Sequence, residues 1–300
     1  MSSNRPPSLD PLAAARWGRA VLPASPWLHE EVGRRMEERL EWIKLQPTTW
    51  LDWQPLTGGL QAHTKLALRY PAAARFLAEP TAARTSAVRT TLAKPWWHAA
   101  RWRGPAPQFG QPDTGTADMV WANMALHASA EPQALITQWH RALSTDGFLM
   151  LSCLGPDSLR ELRQVYAELG WAPPCHEFTD MHDWGDMLVG AGFAEPVMDM
   201  ERITLTYSSA ERLLADLRGL GRNLHLQRDA RTHGRGWHKR LCDALEQHLP
   251  RSQGSGQLAL TFEIIYGHAL KPVPRVALGQ QTAVPLEDMR TLLRQPRKPG

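Results

Sequence analysis

Apolar residues recur at helical spacing through Trp27, Leu28, Val32, Met36, Leu40 and Ile43, which predicts a helix that Pro26 opens and Pro47 stops. A short apolar run, Trp50 to Trp53, then predicts a strand, and the loop after it holds Pro55, Thr57, Gly58 and Gly59. Helical spacing returns over Leu60 to Arg69, and a second strand is expected at Arg75 to Ala78. Strand, loop, helix, strand is how a parallel sheet begins when it is built by right-handed crossovers. Further along, helices are predicted over Ala82 to Arg89, Pro132 to Leu143, Leu159 to Leu169, Asp183 to Ala191 (closed by Gly192), Ala210 to Leu220 and Trp237 to His248. Strands are predicted at Ala117 to Ala122, Phe148 to Cys153, Val197 to Tyr207 and Leu258 to His268. The stretch from Lys94 to Gly115, rich in Trp, Pro and Gly, holds at most one short strand.

The pattern specifies an α/β fold: a doubly wound, mostly parallel sheet of seven strands, with a helical insertion at about 208–256 before the last strand. Residues 1–24 show no sustained period and read as a flexible arm, 25–275 as the domain, and 276–300 as a loose tail with a turn at Leu286 to Leu293.

Composition narrows the field further. Hydrophobic residues at 43% and charged residues at 21% are those of a globular chain, so disorder throughout is excluded. The longest apolar runs suit strands and are too short to span a bilayer, and Met1 to Pro11 is polar, so a cytoplasmic protein with no membrane partner is expected. Cys153, Cys175 and Cys242 form no CxxC pair and the histidines no HExxH, so neither a disulfide framework nor a metal site is expected. The formal charge of +4 favours acidic partners. Much of the excess falls in Arg222, Arg228, Arg231, Arg235, Lys239 and Arg240, and in the tail residues Arg294, Arg297 and Lys298. Ordinary solubility explains such charge equally well. Nucleic acid is disfavoured because no stacking-aromatic motif stands out; Trp96, Trp97 and Trp102 are read as core.

In an open parallel sheet, ligands bind beyond the carboxyl ends of the strands, near the point where strand order reverses. That rule selects Asp52, Gly58 and Gly59 after the first strand and Glu79 after the second. It also selects Asn123, Met124 and His127 after the strand that holds Val120, and the loop Leu154 to Ser158. Glu79 lies where a carboxylate takes the ribose hydroxyls of an adenosine ligand. Each has a plain alternative: a tight turn for Gly58 and Gly59, a solvated strand end for Glu79, a satisfied imidazole for His127.

The run LDWQPLTGG (Leu51 to Gly59) resembles the loop LDxGxGxG of class I S-adenosylmethionine-dependent methyltransferases. ADMVWANMALHA (Ala117 to Ala128) and LSTDGFLMLSCLGPDSLREL (Leu143 to Leu162) resemble that class's fourth and fifth strand segments. ERLEWIKLQP, LLADLRGLGRN and above all the stretch from His182 to Tyr207 resemble the malonyl-[acyl-carrier protein] O-methyltransferases of biotin synthesis, over about Ala24 to Arg275. The resemblance implies S-adenosylmethionine as cofactor, held by Asp52, Gly58, Gly59, Glu79, Asn123 and Met124. It implies an acyl carrier protein bearing a malonyl group as partner, whose carboxylate is methylated. A non-catalytic carrier-binding relative and a methyltransferase for another acceptor are the alternatives.

A carboxylate is ionised at neutral pH and needs no general base, so catalysis would be positioning, worth about 7–11 kcal/mol. His127, Arg160 and Arg218 are the expected catalytic residues, with Arg222 a further candidate to grip the carboxylate, since a guanidinium does so through two bonds. Each of these arginines is equally a surface residue by sequence. Two of the loop's three glycine positions hold Gln54 and Leu56, and Pro55 lacks an amide donor. Either the loop takes another path through Gly58 and Gly59, or Leu56 fills the crevice and weakens cofactor binding.

Overall fold

The computed structural model describes residues 6, 8–93, 104–229, 231 and 234–273. Its centre is a seven-stranded sheet built from β1 (Thr49–Trp53), β2 (Ala74–Ala78), β3 (Gln108–Phe109), β4 (Ala117–Ala122), β5 (Leu143–Leu154), β6 (Ala194–Tyr207) and β7 (Leu258–Leu270). The strands lie in the order β3-β2-β1-β4-β5-β7-β6. The first five pair in parallel, whereas β7 runs antiparallel between β5 and β6, so the sheet is mixed. Strand order reverses between β1 and β4, and the carboxyl ends of those two strands define the crevice.

Alternation along the central strands sorts the core into two layers. Trp50, Met119, Trp121, Phe148 and Met150 point to one face, which is covered by α2 (Trp27–Arg39), α4 (Leu60–Arg69), α7 (Arg160–Glu168), α9 (Ala210–Leu220) and α10 (Arg235–His248). Leu51, Trp53, Val120, Leu149 and Leu151 point to the other, covered by α6 (Pro132–Ala142) and α8 (Met181–Gly190). Burial on both faces is why these strands are near-continuous apolar runs. On α2, Leu28, Val32 and Met36 are buried at four-residue spacing while Glu31, Arg34 and Glu38 pair on the solvent side.

One segment differs from expectation. The N-terminal stretch read as an arm contains a helix, α1 (Pro11–Arg19), whose first turn is capped by Asp10, its carboxylate accepting from Leu12 N at 2.8 Å. Its apolar face is small, Ala13 and Ala14, and it is held in place by tertiary contacts: Leu9, Ala13 and Ala14 pack on Leu224, Leu9 bridges His225, and Asp10 pairs with Arg228 at 2.6 Å. The helical insertion before the last strand holds α9 and α10. Trp96, Trp97, Trp102 and the C-terminal tail with its expected turn lie outside the described residues.

Candidate functional site

After β1 the chain does not make an open glycine loop. Gln54 takes left-handed angles (φ 56°, ψ 54°), doing with a side chain what glycine does more easily, and Pro55–Gly58 coils into one short turn, α3. Gly59, at φ 124°, then lets the chain enter α4, where an added Cβ would meet the Glu30 carboxylate at 2.8 Å. Glu30 itself accepts from the free amides of Gln61 and Ala62 at 3.1 Å, satisfying the start of α4. Leu56 is 1% exposed and turned into a cluster with Leu60, Leu77 and Val88, so it does not fill the crevice.

The carboxylates and amides that the sequence placed here hold the loop from behind. Asp52 accepts from His63 Nδ1 at 2.7 Å, both buried. Asn123 Nδ2 donates to His29 O at 2.7 Å and to Gly58 O, and its Oδ1 accepts from Ser152 at 2.5 Å. Glu79 accepts from Leu56 N at 2.7 Å and from Arg84 Nε at 2.6 Å, and their side chains are 0% and 1% exposed. Burial pushes the Glu79 carboxyl up, against the opposing pull of Arg84. Glu79, expected to meet ribose hydroxyls, stands here as an enclosed ion-pair partner that lines neither cavity described below. Arg84 spends its other nitrogens on Gly18 O and Thr57 Oγ1, each at 3.0 Å, which ties α1 to the loop.

What remains is a crevice of about 280 Å³ whose walls include Gln54, Thr57, Arg84, Met124, Ala125 and, from α1, Trp17 and Gly18. Of the expected cofactor residues only Met124 lines it, in a left-handed conformation (φ 54°) fixed by its N–H bond to Ser152 Oγ at 3.0 Å. Asp52, Gly58, Gly59 and Asn123 shape the wall from inside without lining it. Gln54, Thr57 and Arg84 line it without having been among the expected cofactor residues. The signal for Gln54 was its position, the first glycine of the compared loop; nothing in periodicity marks Arg84.

A second, mostly apolar cavity of about 370 Å³ shares His29, Met124, His127 and Trp17 with the crevice and extends between α7 and α9 to Arg218 and Arg222. His127 therefore stands where the two meet. Leu154 N donates to its Nδ1 at 3.4 Å, which puts the ring proton on Nε2, and Nε2 has no partner among the described residues. His176 Nε2 donates to His127 O at 2.8 Å, and His29 Nδ1 donates to Thr57 O at 2.7 Å. Enclosure, and then the neighbouring imidazoles, hold His127 well below the usual histidine range, while burial brings His29 down to about 4. Both rings are neutral at pH 7. Arg218 is exposed and lines the second cavity. Arg160 lines neither cavity: 53% exposed at the start of α7, it pairs with Glu161 at 3.2 Å and Asp157 at 3.6 Å.

Comparison with known proteins gives consistent relatives. The chain is 39% identical over 261 residues to the malonyl-[acyl-carrier protein] O-methyltransferase of Gallionella capsiferriformans, covering 84% of this chain and 87% of that one. It is 37% identical over 278 residues to that of Laribacter hongkongensis, covering 88% and 87%. Among solved structures, a Bacillus halodurans protein described as a methyltransferase superposes with a TM-score of 0.55 at 14% identity, over 81% of this chain and all (100%) of that one. The YcgJ protein of Bacillus subtilis superposes at 0.53 and 11% identity, over 80% and 99%. These two likenesses show a shared fold and nothing beyond it. No family model matches the chain.

Proposed function

We propose that this chain, which belongs to the malonyl-[acyl-carrier protein] O-methyltransferase family, passes a methyl group from S-adenosylmethionine to the free carboxylate of a malonyl thioester on acyl carrier protein, an early step of biotin synthesis. The observation that carries this reading is the meeting of the crevice and the apolar cavity at His127. Two substrates entering from different sides face each other there.

The crevice suits a nucleoside with a charged sulfur. Met124, Ala125, Ala128 and Leu135 offer an apolar wall for a flat ring, and Thr57 and Gln54 supply polar groups. The Gln54 amide has no partner among the described residues, and with Glu79 enclosed it is the group available to ribose hydroxyls. S-adenosylmethionine supplies an electrophilic methyl on a sulfonium, which a carboxylate oxygen displaces in line.

The chain's own residues then position rather than react. His127 presents Nε2–H, a neutral donor, to one carboxylate oxygen and leaves the other to attack. A neutral imidazole orients the nucleophile without quenching its charge as a cation would. Leu154, Leu159, Leu162 and Phe262 exclude water from the acyl arm, and Arg218 adds positive potential that draws an acidic carrier inward. With malonyl-loaded carrier protein, His127→Phe is expected to lower kcat about 100-fold, the scale for losing one well-placed donor, whereas His127→Gln keeps a donor and stays within about tenfold. Wild-type turnover in His127→Phe would contradict this role.

A further inference from the structure

A third depression lies on the far side of Trp17. It is a groove of about 470 Å³ between α1 and the stretch after α9, lined by Arg16, Arg222 and Arg228 with Trp17, Asn223 and Leu224. Trp17, Arg222, Asn223 and Leu224 also line the apolar cavity. Crevice, cavity and groove therefore follow one another in series, through Met124 and His127 at one junction and Arg222 at the other.

The three guanidiniums are not equally occupied. Arg228 is held by the Asp10 carboxylate at 2.6 Å and donates to His225 O at 2.9 Å. Among the described residues Arg222 donates only to backbone carbonyls, Arg218 O at 2.5 Å and Gly221 O at 2.8 Å, and it lies over the Trp17 ring at 5.4 Å. Arg16 is exposed, and neither it nor Arg222 has a carboxylate partner among the described residues. Asp10 is the acidic residue that pairs in the groove, and one carboxylate against three guanidiniums leaves a net positive site at the mouth of an apolar channel. A planar guanidinium is suited to a phosphate oxygen pair.

We infer that this groove binds the phosphodiester at the root of the carrier's pantetheine arm, with Arg16 and Arg222 as its ligands, while the arm runs through the apolar cavity toward His127. This rests on the function proposed above, since it is a malonyl thioester on such an arm that must reach the crevice. A phosphate fits the series better than a second carboxylate would. The arm is largely uncharged between its thioester and its phosphate, and the channel is apolar between its histidine end and its arginine end.

The test is calorimetry of 4′-phosphopantetheine against pantetheine, two ligands that differ by the phosphate alone. The wild-type chain is expected to bind the phosphorylated form about tenfold more tightly or better. In Arg16→Gln/Arg222→Gln that advantage falls to less than twofold while pantetheine still binds. Equal affinity for both ligands in the wild type, including no measurable binding of either, would overturn the assignment. So would an advantage undiminished in the double variant. If Arg222 served only to hold Trp17 and α1, both ligands would weaken together, and that outcome also overturns it. A kinetic arm separates sources of the same chemistry: the double variant should raise KM about tenfold for the malonyl carrier protein, and a rise confined to malonyl-coenzyme A would contradict the carrier as the occupant. Because the calorimetry needs no turnover, failure of methyl transfer and failure of the phosphate site are read independently.

Discussion

In the proposed site Gln54, and not Glu79, is the side chain offered to the ribose. The carboxylate beyond β2 is spent on Arg84 and on the Leu56 amide, and the side chain standing where a glycine was expected lines the crevice instead. The two substitutions should therefore separate. Gln54→Ala is expected to weaken S-adenosylhomocysteine binding about tenfold, the scale of one lost hydrogen bond, and to leave the melting temperature nearly unchanged. Glu79→Gln is expected to destabilise the fold by about 3 kcal/mol, because a buried guanidinium loses its counter-charge. Calorimetry and thermal melts on both variants check this; a stable Glu79→Gln with lost ligand binding would restore Glu79 as a direct ligand. The buried imidazoles give a pH signature at the same scale. His29 titrates near 6.5 when unfolded and at about 4 in the fold because burial disfavours its charged form. Between those values the unfolded chain holds a proton that the folded chain lacks, so stability is full above about pH 6.5 and is lost as pH falls through 4. The span is worth about 3 kcal/mol. Denaturation midpoints measured from pH 7 to 4.5 should fall steeply, and His29→Gln should flatten part of that slope; an identical slope in the variant would contradict the burial argument.

Among the elements, α1 turns a set of strand ends into an enclosed crevice. Gly18 O receives Arg84, Trp17 walls all three depressions, and Asp10 ties the helix to Arg228. The two principal core layers contain no residue of α1, so the sheet should survive its loss. Deleting residues 1–20 is expected to leave a folded domain by circular dichroism, and to speed S-adenosylhomocysteine release about tenfold or more as the crevice opens to water. Unchanged release would show that α1 merely rests on the surface. The helix was hard to read because only Ala13 and Ala14 face inward, and two alanines give no apolar stripe against which a 3.6-residue period is recognised. By contrast, β1, β4 and β5 announced themselves as unbroken apolar runs because both of their faces are covered.

At the scale of the whole molecule, the sheet order, α1 and the helical insertion give three depressions that share walls, and the sequence told only part of that. The rule that ligands gather beyond strand ends at the reversal point led to the same end of the sheet as the crevice, which His127 and Met124 line. Which side chains remain available is decided by pairings across the chain, such as Arg84 with Gly18 O or Asn123 with His29 O, and no spacing along the sequence encodes them. Arg160 shows the same dependence on the fold: the start of α7 turns it to solvent, where it pairs with Glu161 and Asp157. The missing glycines, which looked like damage to the cofactor loop, are absorbed by one left-handed glutamine and a leucine buried away from the crevice. The most direct test of the account is therefore to incubate the purified chain with S-adenosylmethionine and malonyl-loaded acyl carrier protein and to weigh the carrier by mass spectrometry. The account predicts a carrier heavier by one methyl group, borne as an ester on the malonyl carboxylate; a carrier of unchanged mass after many hours at saturating cofactor would contradict it.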